Sequence, residues 1–154
     1  MHSWGAWDAS WSWSLALIAI TLTIHVIGIG GISNAIERLR STLMRSRQYV
    51  GSTPTTIVAI VLVALALAVL HGIESMAWAV AYVHLGAFGS PPDAILYSVD
   101  SMTTRGSSGI EPVREWRMMG ATEAGDGMLL FGISTAFLFY VMTRLWKTAN
   151  PTKT

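Results

Sequence analysis

Hydrophobic positions in this chain run in three long blocks rather than in narrow amphipathic stripes. No Asp, Glu, Lys or Arg falls between Asp8 and Glu37, between Arg47 and Glu74, or between Asp126 and Arg144. The apolar stretches built on those gaps are Leu15 to Ile32, Ile57 to Tyr82, which runs past Glu74, and Met128 to Trp146, which runs past Arg144, each long enough to cross a bilayer as a helix. The middle block runs from Ile57 to Leu70 without a polar residue. Its β-branched content would suit a strand, but its length predicts a helix buried in lipid or protein. Pro54 falls near its first turn, where a missing N–H does no harm.

The pattern changes between the second and third blocks. Ser90-Pro-Pro-Asp93 has the form of a helix start, with Ser or Asp as cap and prolines in the first turn. Ala94 to Met102 then predicts a helix of roughly two and a half turns, too short to span. Thr103-Thr-Arg-Gly-Ser-Ser-Gly109 follows, small and hydroxylic, suited to extended backbone and close approach. Ile110 to Trp116 leads to the third block. A short helix, Gly-rich backbone and a return to the same side describe a re-entrant loop. Such backbone survives at membrane depth only when buried in protein or lining a water-filled cavity.

Composition narrows the class. Of 154 residues, 52% are hydrophobic and 12% charged, against about 25% charged in a soluble domain. A soluble globule and a disordered chain are both excluded. The absence of cysteine removes disulfide frameworks, thiolate metal sites and thiol nucleophiles. A net charge of +1 gives by itself no case for nucleic acid, which calls for a clustered basic patch. No serine motif with a base and orienter appears, so an enzyme is not expected. The class that remains is an all-α membrane protein, too short to enclose an aqueous pore from one copy.

Basic residues set the orientation. Glu37 to Arg47 holds four arginines, and the C-terminal tail adds Arg144, Lys147 and Lys153. Both segments are expected to be cytoplasmic, with the N-terminus and the Pro91–Asp126 region outside. Trp4, Trp7, Trp11 and Trp13 crowd the first residues and predict a retained interfacial segment at headgroup level. The expected organisation is an interfacial segment at 1–14, a first transmembrane helix at 15–36, a basic linker at 37–53, a paired-span module at 54–148 and a tail at 149–154.

Tyr97-Ser-Val-Asp-Ser-Met-Thr-Thr-Arg-Gly-Ser-Ser-Gly-Ile110 resembles the pore helix and selectivity filter of the potassium-channel superfamily. Glu115 to Glu123 and Gly127 to Phe139 resemble that superfamily's outer vestibule and inner helix, and His71 to Trp78 with Leu85 to Phe88 its outer helix. The chain is similar to small bacterial ion-channel proteins with an extra N-terminal span. The resemblance implies a homotetramer in the bacterial inner membrane, with four pore loops forming the filter, monovalent ions as cargo and no cofactor. The filter residues would be Thr103, Thr104, Arg105, Gly106, Ser107, Ser108 and Gly109, supported by Asp100, Glu111 and Trp116. Gly127 stands near the inner-helix hinge. Gly132, Ala136 and Tyr140, at steps of four, would line the pore.

The filter departs from the potassium pattern Thr-Val-Gly-Tyr-Gly, whose carbonyls replace the ion's hydration shell. Arg105 stands for Val, Ser107 for Tyr, Ser108 for the second Gly, and Gly109 for the Asp just outside. Potassium selectivity of the usual kind is therefore not expected. Arg105 has two readings: an axial ring favouring anions, or an ion pair with Asp100 behind the filter, since an unpaired buried charge is very costly. Six acids against three bases between residues 93 and 126, with Glu111, Glu115, Glu123 and Asp126 around the mouth, would make a negative vestibule and lean toward cations. A plugged or partner-dependent relative of the same fold is the alternative, and gating would come from voltage, pH, lipid or another protein.

His25 lies mid-span in the first helix; His71 and Glu74 lie one turn apart in the second. Ionisable residues inside a membrane point to function. Three chemistries are open: a hydrogen-bonded His–Glu link between helices, a proton sensor, or a metal or bis-histidine haem site of an electron carrier.

Overall fold

The computed structural model describes residues 4–45, 53–106 and 109–149. Helix α1 runs Trp4–Arg45, α2 Thr53–His84, α3 Pro91–Met102 and α4 Arg117–Ala149, the last preceded by one 3-10 turn at Arg114–Trp116. Among the described residues there is no strand. The protein is an all-α membrane protein: Ala9–Leu39, Pro54–His84 and Arg114–Trp146 are each long and apolar enough to cross a bilayer.

The long helices exceed the apolar blocks at their ends. The 42 residues of α1 make a rod of about 63 Å, twice the roughly 30 Å hydrocarbon core. The Trp-rich segment is its first turns, and the basic linker is helical as far as Arg45. Ala35-Ile-Glu-Arg-Leu-Arg40 is made of residues that favour helix, so leaving the apolar block does not end it. For the same reason α4 begins at Arg117, well before the third block.

The chain forms two compact units, each built from segments of the three long helices. Unit 1 comprises residues 1–25 and 71–131 and holds α3. Its core packs Leu17, Trp78, Tyr82, Phe88, Tyr97, Met102, Met119 and Leu130. Tyr82, Phe88 and Tyr97 form a triangle of edge and tilted contacts with ring centroids 5.1–5.7 Å apart, a favourable aromatic spacing. Unit 2 comprises residues 26–70 and 132–154. There Gly28 lets α1 lie close to α2, since a Cβ at this position would come within 2.7 Å of Leu70 Cδ2. Arg144 pairs with Glu37 at 2.7 Å. Val58, Val61, Leu62, Leu65 and Val69 on α2 are at least half exposed, a surface that requires lipid or protein rather than water.

Candidate functional site

The first candidate site is built on α3. Ser90 enters it in extended conformation with no side-chain cap bond, and Pro91 and Pro92 preset the first turn. The helix runs back alongside α2: the Ser98 hydroxyl lies 2.7 Å from the Ser75 carbonyl, and the Ser75 hydroxyl meets Met102 Sδ at 3.2 Å. Ser75 is nine residues before the end of α2, a distance of about 14 Å along the helix. The chain then returns, and the Val113 N–H donates to the Ala87 carbonyl at 3.1 Å. α3 and its loop therefore depart and return at the same level. Gly127 makes this fit possible, because a Cβ there would run into the Met102 carbonyl.

The turn after α3 is not extended. Thr104 N–H bonds to the Ser101 carbonyl and Arg105 N–H to the Asp100 carbonyl, both at 2.9 Å, the bond pattern of a Schellman cap. It places Thr104 at φ 56°, a left-handed position where glycine is the usual occupant. Gly106 and Gly109 also have positive φ, 84° and 90°. The extended backbone expected over Thr103–Gly109 gives way here because the orphan carbonyls at the end of α3 need donors, and Thr104 and Arg105 supply them. Thr103 caps back on Val99 at 2.7 Å. Ser107 and Ser108 lie outside the described residues.

The Arg105 guanidinium holds Asp100 Oδ1 at 2.8 Å, with Asp100 3% and Arg105 66% exposed. The ion pair expected between them thus forms within one chain. Glu111 pairs with Arg117 at 2.8 Å, both over half exposed, and Trp116 packs partly buried against the core. In unit 2, Gly132, Ala136 and Tyr140 share an exposed face of α4, and Tyr140 Oη accepts a bond from Arg144 at 2.8 Å. Burial pushes the Tyr97 phenol on α3 above its ordinary pKa.

Glu123 and Asp126 are not at a mouth. They are 0% and 1% exposed. Glu123 receives Tyr82 Oη at 2.8 Å and contacts the Ser98 hydroxyl, joining α2, α3 and α4. Asp126 Oδ2 receives the Thr21 hydroxyl at 2.7 Å and Trp78 Nε1 at 3.1 Å, joining α1, α2 and α4. These acids fall at the start of α4, which turns them inward onto hydroxyl and indole donors. Their correction leaves four acids, Asp93, Asp100, Glu111 and Glu115, against three bases, Arg105, Arg114 and Arg117, around the loop.

The second candidate site lies one helical turn along the same seam. His25 Nδ1 stands 2.7 Å from Glu74 Oε1, and His71 Nδ1 3.0 Å from Oε2. His25 and Glu74 are fully buried and His71 nearly so. The two imidazoles lie 5.3 Å apart at 35°, and Phe131 stacks on His71 at 4.2 Å. Both Nδ1 nitrogens address one carboxylate. Opposed axial ligands of a haem need the nitrogens to face each other across a plane, so this arrangement does not fit a haem. It does form the hydrogen-bonded His–Glu link between α1 and α2.

The buried polar face of α1 is not among the sequence expectations. Ser10, Ser14, Thr21 and His25 are all fully buried; Ser10 donates to the Glu115 carbonyl at 2.7 Å, and Ser14 accepts from the Thr122 hydroxyl at 2.8 Å. Their spacing keeps one helical face, and that recurrence was the available signal.

No protein-family model, curated protein or solved structure matches this chain.

Proposed function

We propose that this chain is one subunit of a homotetrameric pore-loop ion channel of potassium-channel type, cation-permeable with weak or no potassium selectivity. The observation that carries this reading is the path of α3: a half-membrane helix that leaves and returns at one level, with its C-terminal end about 14 Å inside. In this reading the altered sequence Thr103-Thr-Arg-Gly-Ser-Ser-Gly109 forms the constriction, and the four inner helices are the α4 helices. The C-terminal end of a helix carries partial negative charge, so four such ends converging on an axis favour cations. Ile95, Leu96 and Val99 on α3 are more than a third exposed in the single chain, which suits burial against neighbouring copies.

The positive-inside pattern supports a cytoplasmic C-terminus and an external N-terminus in a bacterial inner membrane. One observation favours a second reading. The Arg105 guanidinium is two-thirds exposed, and four of them near an axis would favour anions. Acids still outnumber bases around the loop, which favours the cation reading.

Reversal potentials in planar bilayers under asymmetric KCl and NaCl test both readings. The expected result is a potential on the cation side, lying between the potassium and sodium limits. A potential on the chloride side would replace the cation reading with the anion one. A value at the potassium limit would refute weak selectivity. Flat traces from protein that cross-links as a tetramer would indicate a plugged pore, and a monomer on cross-linking would refute the assembly.

A further inference from the structure

We propose that His25, His71 and Glu74 form an intramembrane site for a first-row divalent metal ion, with Zn²⁺ the best match. The site is independent of the pore reading, because it lies wholly within unit 1 of a single chain. One ligand atom from each residue converges within 4.8 Å of the others. Two imidazole nitrogens and a carboxylate oxygen are the donor set of zinc sites that keep one position open. Softer copper sites favour sulfur ligands, and magnesium or calcium favour all-oxygen ones.

The distances are close to those a metal needs. His25 Nδ1 and His71 Nδ1 stand 2.7 and 3.0 Å from the two different oxygens of Glu74, and one ligand atom of each residue lies within 4.8 Å of the others. Zinc–ligand bonds of about 2.0–2.1 Å place tetrahedral ligands roughly 3.3 Å apart, a spacing inside that span. Each ring presents Nδ1 to one oxygen of Glu74. On binding, a neutral ring carries its proton on Nε2 and gives the Nδ1 lone pair to the metal.

Charge supplies the second argument. Glu74 is fully buried, and a carboxylate charge in such a place is costly unless compensated. Asp126 adds another carboxylate. It is held by Thr21, one turn before His25 on α1, and by Trp78, one turn after Glu74 on α2. Asp126 lies within electrostatic reach of both Glu74 and His25. Its Oδ1 is buried and has no hydrogen-bond partner among the described residues. A divalent ion held by Glu74 supplies that compensation.

The test uses untagged, full-length protein in detergent, equilibrated with ZnCl2 and desalted, with metal content measured by elemental analysis. The expected result is one zinc per chain in wild type and in His84→Asn, which alters a histidine outside the cluster. His25→Asn and His71→Asn place an amide N–H near the position of Nδ1 and so keep a donor to Glu74. Both are expected to lose the bound zinc while retaining their helical circular-dichroism signal. CoCl2 in place of zinc should give wild type the intense visible bands of a four-coordinate Co²⁺ site, a readout that needs no variant to fold. Absence of stoichiometric zinc in wild type, zinc retained by both Asn variants, or absence of those cobalt bands would each overturn the proposal.

Discussion

Arg105 is tied to Asp100 twice: its backbone N–H donates to the Asp100 carbonyl at 2.9 Å, and its guanidinium holds the Asp100 carboxylate at 2.8 Å. The backbone bond closes the cap of α3, and the side-chain bond neutralises a carboxylate that is almost fully buried. The two residues therefore have unequal roles. Arg105→Met removes the guanidinium from a buried carboxylate and is expected to lower stability by about 1–3 kcal/mol. Asp100→Asn leaves a guanidinium that already reaches its surroundings, with an expected cost below about 1 kcal/mol. Thermal unfolding in detergent should show that order, and the double variant should recover part of the Arg105→Met loss.

Thr104 occupies a left-handed position that costs a non-glycine residue roughly 1–2 kcal/mol, and a β-branched side chain makes it less favourable still. Thr104→Gly is expected to raise the melting temperature, with a gain near 1 kcal/mol after the added chain entropy of glycine. No gain would show that the Schellman turn is absent from the assembled protein.

Two helical glycines should respond in opposite directions to alanine. At Gly127 a methyl group meets the backbone carbonyl of Met102, which cannot rotate away, so Gly127→Ala is expected to cost about 1–3 kcal/mol. At Gly72, within α2, nothing lies within 4 Å, and Gly72→Ala should gain up to about 1 kcal/mol from helix propensity. Paired melting curves of the two variants provide the comparison.

Glu123 is satisfied by hydroxyls from two helices, Tyr82 on α2 and Ser98 on α3. Tyr82→Phe and Ser98→Ala should each destabilise by about 1–3 kcal/mol. Together they leave the buried carboxyl without either partner, so their combined cost should exceed the sum of the single costs. Simple additivity in chemical denaturation would show that water replaces the missing hydroxyls.

Alkaline pH offers a probe of α3. Burial raises the Tyr97 phenol above the ordinary tyrosine value of 10.0, so the folded chain holds this proton more tightly than the unfolded one. The stability it contributes is complete below pH 10 and is lost as pH rises through the folded value. Tyr97→Phe should flatten that part of the stability profile, and ultraviolet titration should show one tyrosine fewer ionising late.

Much of the fold is legible in order along the chain. Three charge-free blocks predict the membrane helices because burying one charge in hydrocarbon is expensive. Ser90-Pro-Pro-Asp93 predicts α3 because proline suits only the first turn of a helix. The limits of the helices are less legible: α1 and α4 extend into charged segments, since helix propensity does not stop where hydrophobicity does. The Asp100–Arg105 pair and the His71–Glu74 link are readable because their partners sit five and three residues apart, within reach along the same stretch of chain.

The inward burial of Glu123 and Asp126 is not readable in this way. On the sequence they stand beside surface charges such as Glu115 and Arg117, and nothing local separates them. Their partners, Thr21, Trp78, Tyr82 and Ser98, come from three other helices and from up to 105 residues away. Whether an acid faces solvent or a donor depends on helix rotation, and packing of all four helices sets that rotation. The sequence by itself determined a charge-poor, all-helical membrane chain with a short helix between its last two spans, because desolvation and proline geometry act locally. Only the tertiary structure decided which of its few charges are buried together, because that requires side chains distant in sequence to meet.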